Sequence, residues 1–284
     1  MAELLKGAPV AEAINNRTIA DVDMLKQKGI EPTLCILRVG ERPDDLSYER
    51  TAEKRAQKVG VKVIKKILDL DCTQEEFDRT LEEINNNPLI HGILMFRPLP
   101  KPLDNEKARK MLNPAKDIDG CTDGSLAGVF TNTDIGFAPC TAQAAIEILK
   151  YYNIPIEGKK VCVMGRSLVI GRPVAMLLMH ENATVVNCHT RTENPQLIAR
   201  EADILIAAVG KLHSIDKAFT NEKQVIIDVG INWDENIGKI AGDVDFDEVE
   251  PAVKAITPVP GGVGTVTTSV LISNVVQAAK DSFK

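Results

Sequence analysis

Residues 161–173 read Val161-Cys-Val-Met-Gly165-Arg-Ser-Leu-Val-Ile-Gly171-Arg-Pro173. An apolar run ends at Gly165, a short turn reaches Gly171, and Pro173 stands where a helix is expected to begin. Strand, glycine turn and helix start together make a phosphate cradle. Glycine lets the backbone approach an anion closely, and the free N–H groups and dipole of a helix N-terminus favour negative charge. The glycines lie six residues apart, not in the G-x-G-x-x-G spacing. The reading therefore rests on the strand before the turn and the helix after it.

Outward from this turn, apolar runs at 160–164, 183–188, 204–208 and 225–229 read as strands, with helical patterns between the first three. That is the strand supply of a dinucleotide-binding domain. The first half of the chain has the same rhythm. Strands are expected at 32–39, 61–68 and 90–95, and helices at 44–59 and 73–86, the second opened by Thr73 with Glu76 in a capping box. Strands separated by helices of this length imply right-handed crossovers and parallel sheets. Residues 114–141, rich in Asp, Gly, Thr and Asn, break the rhythm and read as a connecting segment with functional loops. Pro258-Val-Pro-Gly-Gly-Val-Gly264 leads into an apolar-rich helix expected at 266–279. The expected fold class is α/β, with two parallel-sheet domains, a ligand cleft between them, and the second domain of Rossmann type.

A length of 284 residues accommodates two domains of ordinary size, and a formal charge of −6 argues against a nucleic-acid partner. No run approaches the ~20 apolar residues of a membrane span, and Met1-Ala-Glu-Leu-Leu-Lys6 lacks a signal-peptide profile. The six cysteines form no C-x-x-C pair, and Cys35 and Cys162 lie in apolar strand-like runs. They read as small buried hydrophobes in a reducing cytoplasm. The four histidines show no metal-ligand spacing, so no metal site is expected.

The second nucleotide-domain strand ends at Cys188-His189-Thr190-Arg191-Thr192, where this architecture meets the adenosine ribose. An NAD site usually places a carboxylate there, but none occurs before Glu193. Thr190 and Arg191 occupy the position instead, while Arg166 and Ser167 lie in the glycine turn. Hydroxyls and guanidinium forks suit a 2′-phosphate, which favours NADP and leaves NAD possible. Gly165, Arg166, Ser167, Gly171, Thr190 and Arg191 are the candidate cofactor residues.

Six segments together resemble the methylenetetrahydrofolate dehydrogenase/cyclohydrolase family: Gly165-Arg-Ser-x-x-x-Gly-Arg-Pro173, Lys116-Asp-Ile-Asp-Gly120, Pro139-Cys-Thr141, Asp228-Val-Gly-Ile-Asn232, Gly242-Asp-Val-Asp245 and Thr257-Pro-Val-Pro-Gly-Gly-Val-Gly264. The resemblance implies a homodimer and a tetrahydrofolate substrate. It implies a folate-binding catalytic domain over 1–140 with the last helix, 266–284, returning to it, and an NAD(P)-binding domain over 141–265. It implies that Asp119 binds the pterin, that Tyr48 lines the folate cleft, that Ile231 approaches the nicotinamide, and that Pro260 and Gly261 close on the substrate. Tyr48 and Asp119 are accordingly the candidate catalytic residues.

The chain departs from the family pattern at two linked places. Bifunctional members carry a lysine four residues after the tyrosine, on the same helix face. Here that position is Ala52; Lys54 lies roughly 240° around the helix from Tyr48, and Arg55 shares the face about two turns away. The Gln that accompanies the lysine is replaced by Phe96 in Met95-Phe-Arg-Pro-Leu-Pro100. Hydride transfer needs positioning more than a protein base, whereas adding water to the methenyl carbon calls for a placed acid–base group. The expectation is a dehydrogenase with weak or absent cyclohydrolase activity. Two alternatives stay open: a fully bifunctional enzyme in which Lys54 or Arg55 compensates, and a non-enzymatic NADP-binding sensor.

Overall fold

The structure, a computed structural model, describes residues 1–235 and 238–283; residues 236, 237 and 284, which fall in the domain ranges above, lie outside the described residues. The first half of the chain forms β1 (Glu3–Leu4), α1 (Gly7–Gln27), β2 (Thr33–Val39), α2 (Pro43–Val59), β3 (Lys62–Leu68), α3 (Gln74–Asn86), β4 (Gly92–Met95), α4 (Asn105–Met111) and α5 (Asp123–Thr131). Next come α6 (Cys140–Tyr151), β5 (Lys160–Met164), α7 (Gly171–His180), β6 (Thr184–Cys188), α8 (Pro195–Arg200), β7 (Ile204–Ala207) and β8 (Val225–Asp228). The short strands β9 (Asn232–Asp234) and β10 (Lys239–Ala241), then α9 (Phe246–Val249), β11 (Ala255–Ile256) and α10 (Val263–Asp281), complete the chain. Two compact units result, one of Ala13–Cys140 and Thr268–Lys284, the other of Met1–Glu12 and Thr141–Thr267.

The first unit holds a parallel sheet in the order β3-β2-β4. All seven residues of β2 are buried, as befits a central parallel strand covered on both faces. At the edge, β3 alternates between exposed and partly buried positions. Phe77, Leu81 and Ile84 of α3 pack with Leu37, Ile93 and Met95 in one apolar cluster. Full burial of a side chain such as Phe77 is worth about 3 kcal/mol. The N-cap half of the expected capping box forms, with Thr73 Oγ1 accepting the Glu76 N–H at 3.2 Å.

Helix α2 is fixed by charge as well as by packing. Arg38 of β2 donates Nε–H to Glu49 Oε2 at 2.8 Å, with both side chains almost wholly buried, and Lys65 of β3 adds a contact to Glu49 at 3.1 Å. Burial alone would push the Glu49 carboxyl up, yet Arg38 and Lys65 hold it below its ordinary value. The helix ends at Gly60, whose φ of +81° suits a residue without Cβ.

The second unit holds a six-stranded parallel sheet in the order β1-β11-β8-β7-β5-β6. Residues 1–12, assigned by sequence to the first domain, belong here because Glu3 and Leu4 pair with Ala255 and Ile256. A two-residue strand paired across some 250 positions leaves no periodic signal. Residues 114–141 are more than a connection: Thr122 accepts the Ser125 N–H at 3.1 Å and opens α5. The terminal helix starts at Val263, three residues before its expected start.

Candidate active site

In the second unit the glycine turn is built from main chain. Gly165 leaves β5 with φ +128°, and a Cβ there would sit 2.1 Å from the Ala208 carbonyl oxygen. A Cβ on Gly171 would lie 2.2 Å from the Gly165 carbonyl oxygen. The two glycines, six apart in sequence, thus let β5, β7 and the start of α7 close on one another. Ile170, which precedes α7, supplies no side-chain cap; Arg172 donates its N–H to the Ser167 carbonyl at 3.0 Å and Pro173 has none, which leaves the Gly171 N–H as the free donor of the first turn. Ser167 Oγ accepts the Ile170 N–H at 3.1 Å and shapes the turn.

Arg166, Ser167, Thr190 and Arg191 are all exposed. Neither Arg166 nor Arg191 commits its guanidinium to a hydrogen bond or ion pair among the described residues. Their fork donors are therefore available to an anion. The cradle and these cations fit a dinucleotide phosphate: a space that any Cβ would fill, the free Gly171 N–H at the helix start, and two uncommitted guanidinium groups.

Ile231 is two-thirds exposed. It lines a cavity of about 230 Å³ together with Asp228, Pro260, Gly261 and Gly264. The structure thus groups Pro260 and Gly261 with Ile231 within this unit.

Several residues that hold these loops carried no assigned role in the sequence reading. Asp243 accepts the N–H groups of Val209, Gly210 and Lys211 at 2.6, 2.9 and 3.0 Å, and Asn232 Nδ2 at 2.9 Å. Asp228 accepts those of Gly230, Asp243 and Val244 at 2.9, 3.1 and 3.0 Å. Burial nonetheless pushes Asp228 up to about 6, against those three N–H bonds. Asn187 donates to the carbonyls of Val163 and Gly165 at 3.0 and 2.7 Å, tying β6 to the turn. The signal for Asn187 was a polar amide at the end of an apolar strand.

In the first unit, side chains from distant segments meet. Tyr48 of α2 stacks edge-on against Phe96, with ring centroids 6.0 Å apart. Burial raises the Tyr48 hydroxyl well above its usual value, and the Asp119 charge adds to this; the Thr268 hydroxyl beside it acts in the opposite sense. Asp119 is half-buried. Desolvation and the neighbouring Asp117 push it up to about 6, opposed by Cys140 and Arg97. The Cys140 thiol, itself raised chiefly by burial, donates to the Ile118 carbonyl at 3.1 Å, and Asn274 Nδ2 donates to the same oxygen at 2.9 Å.

The two aspartates of the Asp-Ile-Asp-Gly stretch have separate duties. Asp117 is fully buried and accepts from Cys121 N, Thr122 N and Ser125 Oγ at 3.0, 2.7 and 2.7 Å. Gly120, at φ +67°, turns the chain where a Cβ would strike Pro139 N at 2.4 Å. Asp119 is left to face the tyrosine. Of the two positions where the chain departs from the bifunctional pattern, Ala52 is fully buried on α2 and Phe96 lies against Tyr48. Lys54 is exposed and lines a groove with Arg50, Glu53 and Gln57. It is on another face of α2 from the buried side that carries Ala52 and Ala56. No three His, Cys, Asp or Glu side chains converge on a metal position among the described residues.

Comparison with known proteins covers nearly the whole chain. The family model of the tetrahydrofolate dehydrogenase/cyclohydrolase catalytic domain matches residues 5–119, and that of the family's NAD(P)-binding domain matches residues 139–283. The bifunctional protein FolD of Carboxydothermus hydrogenoformans is 52% identical over 281 residues, covering 99% of this chain and 98% of the relative. Among solved structures, the bifunctional FolD methylenetetrahydrofolate dehydrogenase/cyclohydrolase of Campylobacter jejuni superposes with a TM-score of 0.95 at 35% identity, covering 99% of both chains. The Trypanosoma brucei methylenetetrahydrofolate dehydrogenase-cyclohydrolase, solved with NADP and an inhibitor, gives a TM-score of 0.91 at 33% identity over 100% of this chain and 99% of the other.

Proposed function

The chain belongs to the tetrahydrofolate dehydrogenase/cyclohydrolase family, and on that premise we propose that it oxidises 5,10-methylenetetrahydrofolate with NADP and also hydrolyses the 5,10-methenyl product. The observation that carries this reading is the end-to-end match to a relative named as bifunctional, at 52% identity over 99% of the chain. NADP, when bound, accepts the hydride. The nitrogen lone pairs of the folate expel that hydride, so the task of the protein is to hold the donor carbon and screen the cation that develops. Asp119 suits this task. Its carboxyl is ionised above about pH 6 and lies with Tyr48 at one end of the first unit's sheet.

In this reading Gly165 and Gly171 seat the pyrophosphate, with Ser167 shaping the turn between them. Arg166, Thr190 and Arg191 receive the 2′-phosphate and give the preference for NADP over NAD. Ile231 meets the nicotinamide, and Pro260 and Gly261 border the substrate. The expected assembly is a homodimer, and β3, at the edge of its sheet, offers a second copy a row of backbone groups. Six free thiols, five of them buried, suit a reducing compartment such as the cytoplasm.

A specific observation favours a second reading, a dehydrogenase with weak or absent cyclohydrolase activity: buried Ala52 and the Phe96 ring stand where bifunctional members pair a lysine with a glutamine. The test is NADP and NAD reduction with methylenetetrahydrofolate, run beside direct hydrolysis of methenyltetrahydrofolate. Hydrolysis at a rate near that of oxidation supports the bifunctional reading, and oxidation alone supports the second. A protein that neither oxidises nor hydrolyses is the nucleotide sensor.

A further inference from the structure

We propose that Arg97 supplies the positive charge for methenyl hydrolysis in this chain, its guanidinium holding the oxygen that water brings to the reacting carbon. The proposal rests on the reading that the folate lies at the Tyr48–Asp119 cluster. The first observation is position. A parallel bridge joins Ile93 of β4 to Asp117, so the segments that follow each, Met95–Arg97 and Ile118–Asp119, run to the same end of the sheet. Phe96 continues the ladder, donating its N–H to Leu37 at 3.0 Å, and its ring meets Tyr48. Arg97 is the next residue.

The second observation is an uncommitted cation. Arg97 is half-buried, yet its guanidinium makes no hydrogen bond or ion pair among the described residues. Its five donors are not among the buried atoms left without a partner, so they stay open to water and to a bound oxygen. The Arg97 charge does reach the cluster, where it opposes the upward shift of both Asp119 and Cys121. Arg38 is committed to Glu49, and Lys54 is exposed on another face of α2 from buried Ala52. The family lysine that Ala52 replaces would have reached the cluster from α2. In this chain the charge comes from β4.

The chemistry suits a guanidinium that never gives up its proton. Water oxygen bonds to the carbon between N5 and N10 of the methenyl cation and loses a proton. The carbon–N5 bond then breaks with its electron pair left on N5, which takes up a proton, while the hydroxyl loses its own as the carbonyl forms. One water is consumed, one proton is released, and the product is the N10-formyl compound. Charge develops on the oxygen throughout, and a fixed donor aimed there stabilises it. Asp119, in the same cluster, accepts the departing proton in this scheme.

The experiment compares the parent with Arg97→Leu and Arg97→Lys in three measurements: methenyltetrahydrofolate hydrolysis without nucleotide, NADP reduction from methylenetetrahydrofolate, and thermal melting. Arg97→Leu is expected to slow hydrolysis by about 100-fold, the usual cost of removing one oxyanion donor. At pH 8, well above the Asp119 titration, oxidation and melting stay near the parent, and Arg97→Lys recovers part of the hydrolysis. The acid limb of the residual hydrolysis should move to higher pH, since Asp119 loses the charge that opposes its rise. Hydrolysis that survives Arg97→Leu overturns the proposal, as does a parallel loss of hydrolysis, oxidation and melting temperature in both variants. A parent that oxidises without hydrolysing also overturns it and leaves the dehydrogenase reading intact. A parent that does neither overturns both.

Discussion

The nucleotide cradle and the Tyr48–Asp119 cluster are made from different parts of the polypeptide. At the cradle the groups that meet are carbonyls and N–H groups, brought together because Gly165 and Gly171 lack a Cβ and because Asp228 and Asp243 bind runs of backbone N–H. At the cluster, Tyr48, Phe96, Asp119, Cys140 and Asn274 come from separate segments and meet mainly through side chains, with the Ile118 carbonyl as the shared main-chain acceptor. A main-chain site withstands most changes of side chain but not an added methyl group in the wrong place. A side-chain site keeps its shape through a substitution and changes its chemistry.

That contrast can be broken at either end. The largest effect is expected from Gly171→Ala, whose methyl group would meet the Gly165 carbonyl at 2.2 Å. The turn should open, with NADP affinity falling about 100-fold or more, the scale of an ångström-sized misplacement. Nucleotide-dependent melting shifts measure this, and methenyl hydrolysis, which uses no nucleotide, should persist. A variant that still shows the full NADP shift would show that the cradle is not built on these two glycines.

Next in size is Arg38→Leu, which leaves the buried Glu49 of the first unit with Lys65 as its one remaining cation. Breaking one side of a buried pair costs about 3–5 kcal/mol, to be read from denaturant unfolding. Because Glu49 is held below its ordinary value, the stability it contributes is present above the unfolded pKa and fades as the pH falls. The parent and variant curves should therefore converge in acid.

Asp119→Asn tests the other sign. Asp119 is raised from 3.8 to about 6 in the folded chain, so its contribution is full below pH 4 and is lost as the pH rises through 6. Replacing it with a neutral amide should stabilise the chain at pH 8 by up to about 3 kcal/mol and leave stability at pH 4 nearly unchanged, while abolishing oxidation. Equal stability of the two proteins at pH 8 would show that the carboxylate is better solvated than its surroundings indicate.

The smallest effect is expected from Arg191→Ala. Losing one charge-assisted contact should raise the KM for NADP about tenfold, or about 1.4 kcal/mol, with the KM for NAD unchanged. Parallel rises for both cofactors would remove the basis for the NADP preference.

How much of this was legible before the structure follows the same division. The cradle was readable because glycines and the strand before them are local signals, and the N-cap at Thr73 was readable for the same reason. The parallel sheets followed from strands and helices of regular length. Helices α1 and α6 were not expected, nor were α4 and α5, whose short apolar runs sit among loop-forming residues. The placement of residues 1–12 depends on a pairing with β11 that no local pattern encodes. At the cluster, Tyr48 and Asp119 were found only through the family resemblance. Cys140 and Arg97 stood inside quoted segments without a role of their own and Asn274 outside them, because the meaning of all three lies in three-dimensional proximity.

The division of the chain falls inside two of its helices. The unit boundaries at 12/13 and 267/268 cut α1 and α10, so each unit takes a terminal segment from the far end of the gene. An expression fragment ending near residue 140 would therefore hold β1 without β11, and Tyr48 and Asp119 without Thr268 and Asn274. Trimming the first six residues would damage the nucleotide sheet, and trimming the last seventeen would damage the folate cluster. For protein engineering the consequence is that halves of related genes cannot be exchanged at the midpoint. A chimaera must carry both ends of the chain with the unit each belongs to.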